Sequence, residues 1–369
     1  MSARPLVLAA LLPIAASVLA GPSEGPVPVR PRENPRRVWA AAQYPGWQAW
    51  NVADPFVLRD PASGRYLLFY AGTGTSRINA SVWDDWSIGI AESADGRAFN
   101  VRDDYDPVLV GHRWMEGDVL DPDELRASFD SVAVFAPCVL RENGVYRMWY
   151  TGWNGDSVYA GNGRDRMVHH RIGLARSSDG RAWTKQRGTA EAGAALGLGP
   201  REAPDSEAIR RPWVRRERNG GYRMWYEGTD GRVARILTAT SRDGVSWERR
   251  GVALDVGAAG APDALGVGQP LVIARRGRLE LWYCGLAVDA QRYHLLRAAS
   301  RDGARWTKLP GEIELWNGRA PQTEVLVGSV IVEPTGACRV YFASPRTLPP
   351  ARDGGTREGL EIFVVTVNP

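Results

Sequence analysis

The stretch IGLARSSDGRAWTK, residues 172–185, decides the fold, because the chain repeats it. It reads as a short strand, a tight Asp-Gly turn and a second strand. Regular copies of one hairpin indicate a repeat architecture. The further copies are IGIAESADGRAF at 88–99, ILTATSRDGVSW at 236–247 and LLRAASRDGARW at 295–306.

A second hairpin precedes each of these copies. It combines an apolar strand, a turn that contains Gly, and a strand rich in aromatic residues. Its versions are DPFVLRDPASGRYLLFYAG at 54–72, APCVLRENGVYRMWYTG at 136–152, RPWVRRERNGGYRMWYEG at 211–228, QPLVIARRGRLELWYCG at 269–285 and GSVIVEPTGACRVYFAS at 328–344.

Together the two hairpins give a unit of four antiparallel strands, A to D, which occurs five times. The sequence therefore predicts an all-β fold, a five-bladed β-propeller of four-stranded antiparallel blades. Two packed β-sandwiches are the alternative, but they do not explain the match between units. The fifth unit lacks the Ser-x-Asp-Gly hairpin and ends in LEIFVVTVNP at 360–369 as strand C. We therefore expect RRVWAAA at 36–42 to supply its outer strand and to close the ring.

The chain has 369 residues, with 41 Gly, 25 Pro and 15 Trp, a composition that favours turns and strands over long helices. Residues 1–20 have the charge, apolar run and small residues of a secretory signal peptide. We expect residues 21–35 to be a Pro-rich linker and residues 36–369 a single propeller domain. This predicts a secreted or periplasmic protein with no membrane span after cleavage, and an uncleaved N-terminal anchor is the alternative.

The net charge is +4, and the basic residues are scattered along the chain, so no nucleic-acid partner is expected. Cys138, Cys284 and Cys338 lie in strand-like runs without zinc-ligand spacing, which predicts buried free thiols. The sequence indicates no metal site and no cofactor, and we expect a monomer.

The repeated Asp95, Asp179, Asp243 and Asp302 belong to the C–D turns, and we interpret them as scaffold. The A–B and C–D turns are short, whereas the connections at the opposite, top face are long. Long irregular segments on a regular scaffold usually carry function.

Strand A begins at the top face and should be innermost, so its first residues should point into the central channel. The residue before its Pro differs in every blade: Asp54, Ala136, Arg211, Gln269 and, by a looser alignment, Val327. A repeat position filled by different residues is not determined by the scaffold. Asp54 as a catalytic residue and Arg211 as a substrate-binding residue are therefore candidates, and a structural salt bridge across the channel is the alternative.

Seven residues before that Pro the chain carries Asp130, Asp205 and Asp263. Because this Asp repeats, capping of strand A is the favoured interpretation, but Asp205 is retained as a catalytic candidate and Asp130 as a substrate-binding candidate. Glu207 departs from the repeat and is a further catalytic candidate. Glu227 stands where other blades have Ala71, Thr151, Cys284 and Ala343, and it is a candidate proton donor, substrate ligand or partner of Arg211.

Aromatic and imidazole side chains near the top loops are candidates for stacking on sugars. Trp153 and His170 are taken as substrate-binding candidates. Trp83, Trp86, Trp114 and His169 belong to the same group.

These segments resemble the five-bladed propeller glycosidases, the superfamily of arabinanases, β-xylosidases, invertases and levansucrases. NVADPFVLRD at 51–60 is similar to the Asp-Pro segment of the first blade, which implies that Asp54 is the base or nucleophile. VFAPCVLRENGVYRMWY at 134–150 resembles the Trp-Ala-Pro-Asp-Val segment of the second blade, with Phe135 for Trp and Cys138 for Asp.

The chain departs from this family in two blades. It has Arg211-Pro212 where the family has a second Asp-Pro, and Gly268-Gln269-Pro270 where the family has Glu-Gly-Pro. The resemblance implies a divergent glycoside hydrolase that acts on an extracellular oligo- or polysaccharide through carboxylate acid–base chemistry. A non-catalytic carbohydrate-binding propeller and a protein-interaction propeller are the alternatives.

Overall fold

A computed structural model describes residues 28–39, 47–48, 51–73, 86–101, 107–111, 127–159, 166–287, 293–316, 325–348 and 357–369. These residues form 22 β-strands and include one turn of 3-10 helix, Glu191–Gly193. In chain order the strands are β1 (Arg36–Trp39), β2 (Asn51–Arg59), β3 (Tyr66–Thr73), β4 (Ser87–Ser93), β5 (Asn100–Val101), β6 (Ala133–Glu142), β7 (Val145–Trp153), β8 (Ser157–Tyr159), β9 (Arg166–Val168), β10 (Arg171–Ser177), β11 (Thr184–Gln186), β12 (Ala208–Arg216), β13 (Tyr222–Thr229), β14 (Ala234–Ser241), β15 (Glu248–Leu254), β16 (Gly266–Arg275), β17 (Arg278–Leu286), β18 (Tyr293–Ser300), β19 (Thr307–Lys308), β20 (Leu326–Val332), β21 (Cys338–Leu348) and β22 (Arg357–Val367).

The described strands assemble into five antiparallel sheets of four strands, and β8 and β9 form a separate hairpin. The sheets are β2-β3-β4-β5, β6-β7-β10-β11, β12-β13-β14-β15, β16-β17-β18-β19 and β20-β21-β22-β1. Their first strands contact one another in sequence around a ring, β2 with β6, β6 with β12, β12 with β16, β16 with β20 and β20 with β2. The fold is a five-bladed β-propeller, as predicted.

The ring closes through the N-terminal strand. Strand β1 pairs antiparallel with β22, and Arg36 lies opposite Val364. The last blade thus takes three strands from the end of the described chain and one from near its beginning. The predicted closing strand is confirmed over Arg36–Trp39, and residues 40–42 lie outside the described residues.

The second strand of each blade is buried on both faces, because each blade is covered by a neighbour on either side. In β7 the residues Met148, Trp149 and Tyr150 are at most 1% exposed. A strand covered on both faces is apolar at consecutive positions and not only at alternate ones. This explains the runs MWY at 148–150 and 224–226 and LWY at 281–283.

The Ser-x-Asp-Gly turns are scaffold, as predicted. In the first blade Asp95 Oδ1 accepts the backbone N–H groups of Arg97 (2.8 Å) and Ala98 (3.0 Å). The Ser93 hydroxyl also donates to Asp95 Oδ1, at 2.9 Å. These hydrogen bonds lower the pKa of Asp95 to about 2. Gly96 adopts φ +69°, the left-handed region that Gly enters without a steric penalty.

These turns also join the blades. The indole N–H of Trp149 in the second blade donates to the carbonyl of Gly244 in the third, and Trp225 donates to Gly303 in the fourth, both at 2.9 Å. Trp282 occupies the same position in the fourth blade, and its buried indole N–H has no hydrogen-bond partner among the described residues. The reason is that the fifth blade has no Ser-x-Asp-Gly turn to offer a carbonyl.

Residues 1–27, which include the predicted signal peptide and most of the linker, lie outside the described residues. Val29 bridges Ile313, so the last part of the predicted linker runs beside the fourth blade. No helix in the described part of the chain has the length and apolarity needed to cross a membrane. All three cysteines lie in described strands and are buried and unpaired, as predicted.

Candidate functional site

The innermost strands share an irregularity at their X-Pro positions. In each of the first four blades the register between strands A and B skips the residue before Pro and the Pro itself. Such a bulge re-aims side chains locally. The residue before Pro has a positive φ in all four blades: Asp54 (47°), Ala136 (49°), Arg211 (54°) and Gln269 (53°).

The five bulges meet at the channel axis. Asp54, Ala136, Arg211, Gln269 and Gly328 line a narrow cavity of about 30 Å³, together with Val327 and the adjoining prolines. In the fifth blade the register shifts between Val327 and Ser329, so Gly328 takes the place of the Pro and Val327 that of the residue before it. A Cβ on Gly328 would lie 2.2 Å from the carbonyl oxygen of Pro55, which is why this position needs Gly.

Side chains of one blade cap backbone N–H groups of the next blade around this ring. Asp54 accepts the N–H of Ala136, and Thr151 Oγ1 accepts the N–H of Arg211 at 2.9 Å. Glu227 Oε2 accepts the N–H of Gln269 at 3.2 Å, and Gln269 Oε1 accepts the N–H of Val327 at 2.9 Å. The bulges therefore keep their buried N–H groups paired, as a packed interior requires.

A cluster of two carboxylates and two guanidinium groups lies on this ring. Arg211 Nε is 3.6 Å from Asp54 Oδ1, and its NH1 is 3.8 Å from Glu227 Oε2. Arg210 also pairs with Glu227, with its Nε and NH2 each 2.6 Å from Oε1. Adjacent residues of a regular strand point to opposite faces. Because Arg211 lies in the bulge, both arginines reach the same carboxylate.

The four side chains form a path from the interior to solvent. The side chain of Glu227 is 6% exposed, Asp54 12%, Arg211 19% and Arg210 33%. Asp54 is thus partly accessible, whereas both oxygens of Glu227 are occupied by arginine and backbone donors. Since Asp54 and Glu227 contact one planar guanidinium group, the two carboxylate oxygens lie within about 10 Å of each other.

The pKa values of the two carboxyl groups are shifted in opposite directions. Burial raises the pKa of Asp54 above its ordinary value, and the opposing charge of Arg211 does not cancel this effect. Burial would also raise the pKa of Glu227, but the charges of Arg210 and Arg211 and the hydrogen bonds to Glu227 hold it below its ordinary value. Asp54 therefore holds its proton to a higher pH than an ordinary Asp, and Glu227 ionises at a lower pH than an ordinary Glu.

His170 and Tyr293 lie beside this cluster. The His170 ring packs edge-on against Phe135, with the ring centroids 5.1 Å apart. Burial, reinforced by the charges of Arg210 and Arg211, holds the pKa of His170 well below its ordinary value, so the imidazole is neutral. Burial and the charge of Glu227 raise the pKa of Tyr293, which leaves the phenol protonated.

Glu207 lies in a separate network of charged groups at the rim, between the second and third blades. Its Oε2 is 3.2 Å from Nε2 of His169, whose Nδ1 is 3.3 Å from Asp156 Oδ2. Trp153 is 5% exposed, and its indole N–H donates to the backbone carbonyl of Asp156 at 2.8 Å. Trp153 is therefore tied to this network and does not present an open stacking face.

The repeated aspartates are buried in the scaffold. Asp130 accepts the Tyr150 hydroxyl at 2.7 Å, and Asp205 accepts the Tyr226 hydroxyl at 2.8 Å and Arg249 Nε at 2.8 Å. Both aspartates are 1% exposed. Among the described residues, both aspartates bind a Tyr hydroxyl of strand B and not the backbone at the entry to strand A, and neither residue reaches the central cluster through a described contact. Asp130 and Asp205 therefore lie apart from the central cluster.

The same arrangement occurs in two further blades. Asp263 accepts the Tyr283 hydroxyl, and Gln48, seven residues before Pro55, accepts the Tyr70 hydroxyl. Two residues after each of these Tyr residues the chain has a Gly, which leaves room for the Asp or Gln side chain. A Cβ on Gly152, for example, would lie 2.5 Å from the Cβ of Asp130.

Arg210, Gln269 as a cap and Tyr293 are members of the site that the sequence reasoning missed. The register places Arg210 directly opposite Glu227, a pairing that could have been read from the alignment of strands A and B.

Of the aromatic candidates, Trp86 packs near Ala53 and Leu360, while Trp83 and Trp114 lie outside the described residues. Within the described ranges, no group of three or more His, Cys, Asp or Glu side chains is arranged to hold a metal ion.

Several solved structures that align with this chain are glycoside hydrolases. A glycosyl hydrolase from Bacteroides ovatus aligns over 94% of this chain and 94% of its own, with a TM-score of 0.58 and 16% identity. The chain has the fold of these enzymes. A family 117 glycoside hydrolase produced by Zobellia galactanivorans aligns over 90% of this chain and 91% of its own, with a TM-score of 0.55 and 13% identity.

A third structure comes from the GH130 family of mannoside phosphorylases, which contains glycoside hydrolases that target beta-1,2 mannosidic linkages in Candida mannan. It aligns over 86% of this chain and 85% of its own, with a TM-score of 0.55 and 16% identity. At these identities the likeness shows the fold of the chain.

Sequence comparisons find relatives in Mycobacterium tuberculosis. No protein-family model matches the chain. An uncharacterized protein of Mycobacterium tuberculosis (strain ATCC 25618 / H37Rv) is 32% identical over 224 residues, which cover 59% of this chain and 62% of that protein. The chain thus spans less than two thirds of the length of the curated relatives it matches.

Proposed function

We propose that the protein is a glycoside hydrolase in which Asp54 donates a proton to the leaving sugar oxygen and Glu227 acts as the ionised base. The observation that carries this proposal is the pair of carboxyl groups on one guanidinium, with the pKa of Asp54 raised and that of Glu227 lowered. Glycosidases need one protonated and one ionised carboxyl group across the sugar ring. This assignment makes Asp54 the acid, whereas the resemblance implied a base or nucleophile.

The other groups of the site have distinct tasks in this proposal. Arg211 keeps Glu227 ionised and orients Asp54 through their contacts. The neutral His170 and the protonated Tyr293 offer hydrogen bonds to sugar hydroxyls without adding charge. Glu207 and His169 border the opening and would contact the more distant part of an oligosaccharide. The carboxylate separation permitted by the shared guanidinium spans both the retaining and the inverting geometry.

Sugar release tests this proposal directly. The full chain and its Asp54→Asn and Glu227→Gln variants are incubated with oligosaccharides of arabinan, xylan, fructan and mannan, and Asp302→Asn in a C–D turn is the control. We expect loss of a proton donor to lower kcat by about 10²–10⁴-fold, with the control unchanged. Release that survives Asp54→Asn would overturn the assignment of the acid.

The pH profile separates the two roles. Activity should fall as pH rises through the raised pKa of Asp54, because the acid must be protonated. It should also fall as pH drops through the lowered pKa of Glu227, because the base must be ionised. Glu227→Gln should remove the acidic limb of the profile in whatever activity remains.

A carbohydrate-binding propeller without catalysis is the second candidate. The occupation of both Glu227 oxygens by Arg210, Arg211 and the N–H of Gln269 favours it, because Glu227 then has the same capping task as Thr151. Oligosaccharide binding by calorimetry, without sugar release from any member of the panel, would establish this alternative.

We also propose that the protein is exported and that it is a monomer. The sequence of residues 1–20 supports export to the periplasm or the medium, with Gly21 as the first residue after cleavage. N-terminal sequencing of the exported protein tests the cleavage site. Size-exclusion chromatography with light scattering tests the monomer.

A further inference from the structure

A second cavity lies between the second and third blades, on the face opposite the proposed catalytic site at Asp54 and Glu227. It has a volume of about 570 Å³, and it is lined by side chains from the A–B and C–D ends of the two blades. The lining residues that matter here are Glu142, Arg147, Arg176, Arg216 and Tyr222. The proposed glycosidase chemistry uses none of them.

Two of these arginines face each other across one sheet. Arg147 on β7 lies directly opposite Arg176 on β10 in the antiparallel register. Like charges directly opposite one another destabilise a sheet. The other blades avoid this pairing at the same position, with Leu67 opposite Glu92, Arg223 opposite Thr240, Glu280 opposite Ala299, and Arg339 opposite Thr366.

A third arginine comes from the neighbouring blade. The guanidinium carbons of Arg216 and Arg147 lie 4.7 Å and 5.5 Å from the centre of the Tyr222 ring. Both groups are therefore held beside one aromatic ring, which fixes their positions relative to each other. The second blade supplies two of the three cations and the third blade supplies one.

The nearby acidic groups do not neutralise this cluster. Glu142 accepts the Tyr222 hydroxyl at 2.6 Å and is 3.6 Å from Arg216 Nε. Arg147 donates to the backbone carbonyl of Asp243, but the Asp243 carboxylate is bound to the N–H groups of its own turn. Among the described residues that line the cavity, Glu142 is the one carboxylate beside three guanidinium groups, so this lining carries a net positive charge.

One donor in the cluster has no partner among the described residues. The Nε of Arg176 is buried and makes no hydrogen bond to any described residue. A buried donor left unpaired is unfavourable, and guanidinium groups bind tetrahedral oxyanions through paired N–H donors. We infer that this cavity binds a phosphate or sulfate group, held by Arg147, Arg176 and Arg216.

Thermal unfolding of the full chain tests this inference. Sodium phosphate and sodium sulfate are titrated against sodium chloride at equal ionic strength, with Arg176→Gln and Arg147→Gln as variants and the exposed Arg305→Gln as the matched loss of charge. We expect phosphate and sulfate to raise Tm more than chloride does in the parent and in Arg305→Gln. In the two cavity variants we expect the dissociation constant for the oxyanion to rise at least tenfold.

The variants make a second comparison possible. Without an oxyanion, Arg176→Gln removes a repulsion and should unfold at the same or a higher temperature than the parent; with phosphate the order should reverse. An arginine with a purely structural role would lower Tm equally in all salts. Equal effects of phosphate, sulfate and chloride on the parent, or an undiminished phosphate effect in both cavity variants, would overturn the inference.

A sulfated polymer in the same assay identifies the source of the bound sulfate or phosphate group. Dextran sulfate, which carries the oxyanion on a sugar chain, is compared with free sulfate at the same sulfate concentration. A larger shift with the polymer indicates that the cavity takes a pendant sulfate or phosphate of a polysaccharide. Equal shifts indicate a free ion. Sugar release by the top face is measured in parallel, and its presence or absence does not bear on the oxyanion site.

Discussion

Replacement of Asp54 by Asn should remove activity and at the same time stabilise the protein at neutral pH. Asp54 holds its proton to a higher pH in the folded protein than in the unfolded chain, because burial raises its pKa above the ordinary value of 3.8. Between these two pKa values the folded state binds more protons, so the free energy of unfolding falls as pH rises. Asn has no such titration, and the variant should therefore gain stability relative to the parent across this window.

The magnitude follows from the same linkage. Each unit of upward shift corresponds to about 1.4 kcal/mol at a pH above both values, and the side chain is only 12% exposed, so little of this is lost to solvent. Below pH 3.8 Asp54 is neutral in both states, and parent and variant should differ by less than about 1 kcal/mol there. At pH 7 the variant should therefore be the more stable protein, by an amount that the size of the pKa shift sets.

Urea unfolding midpoints at pH 3.5 and pH 7 measure this difference. Asp302→Asn is a control of opposite sign, because its turn hydrogen bonds lower the pKa of Asp302 to about 2. Asp302 therefore contributes stability above its unfolded value that is lost as pH falls towards 2. Since the group is exposed, we expect the control to be destabilised at pH 7 by only about 1 kcal/mol. An Asp54→Asn variant whose relative stability is flat or falls with pH would refute the reasoning.

Three further substitutions test the scaffold, with Tyr293→Phe as a comparison for the first. Tyr226→Phe removes the hydroxyl donor to Asp205 but leaves Arg249 in place, and we expect a loss of about 1–2 kcal/mol in urea unfolding, while Tyr293→Phe should change stability little. Trp39→Ala opens a cavity under the closing strand, where Trp39 is 2% exposed; we expect a loss of about 3–5 kcal/mol, and a loss below 1 kcal/mol would show that closure is not needed. Thr151→Val removes the acceptor for the N–H of Arg211; we expect a loss of about 1–3 kcal/mol, and an unchanged midpoint would show that this cap is dispensable.

The fold could be predicted because the blades share the same pattern of turn and strand residues. The Ser-x-Asp-Gly turn needs a positive φ that Gly supplies, and Gly180 and Gly244 have it. The aromatic second strands needed cover on both faces, which only neighbouring blades supply. The missing turn of the fifth blade then required an outer strand from elsewhere, and Arg36–Trp39 was the available segment.

The site was predicted only in part, because its geometry depends on backbone bulges that the sequence does not show. Asp54, Arg211 and Glu227 were found as departures from the repeat, and they lie together. Arg210 was missed because alternation in a regular strand would turn it away from Arg211. Asp130 and Asp205 were recognised as repeated positions, but the sequence does not show that a Tyr hydroxyl is the partner of each.

The repeated bulge explains how one scaffold can carry different chemistry in each blade. Four residues other than Gly adopt positive φ directly before Pro, a conformation that costs about 1–3 kcal/mol each. The surrounding sheet and the capping of the bulged N–H groups hold these residues in place, so the side chain at the bulge is free to vary. Asp, Ala, Arg and Gln occupy equivalent backbone positions and face the same channel. The positions where the local backbone is strained are therefore also the positions where this propeller differs from its own repeat.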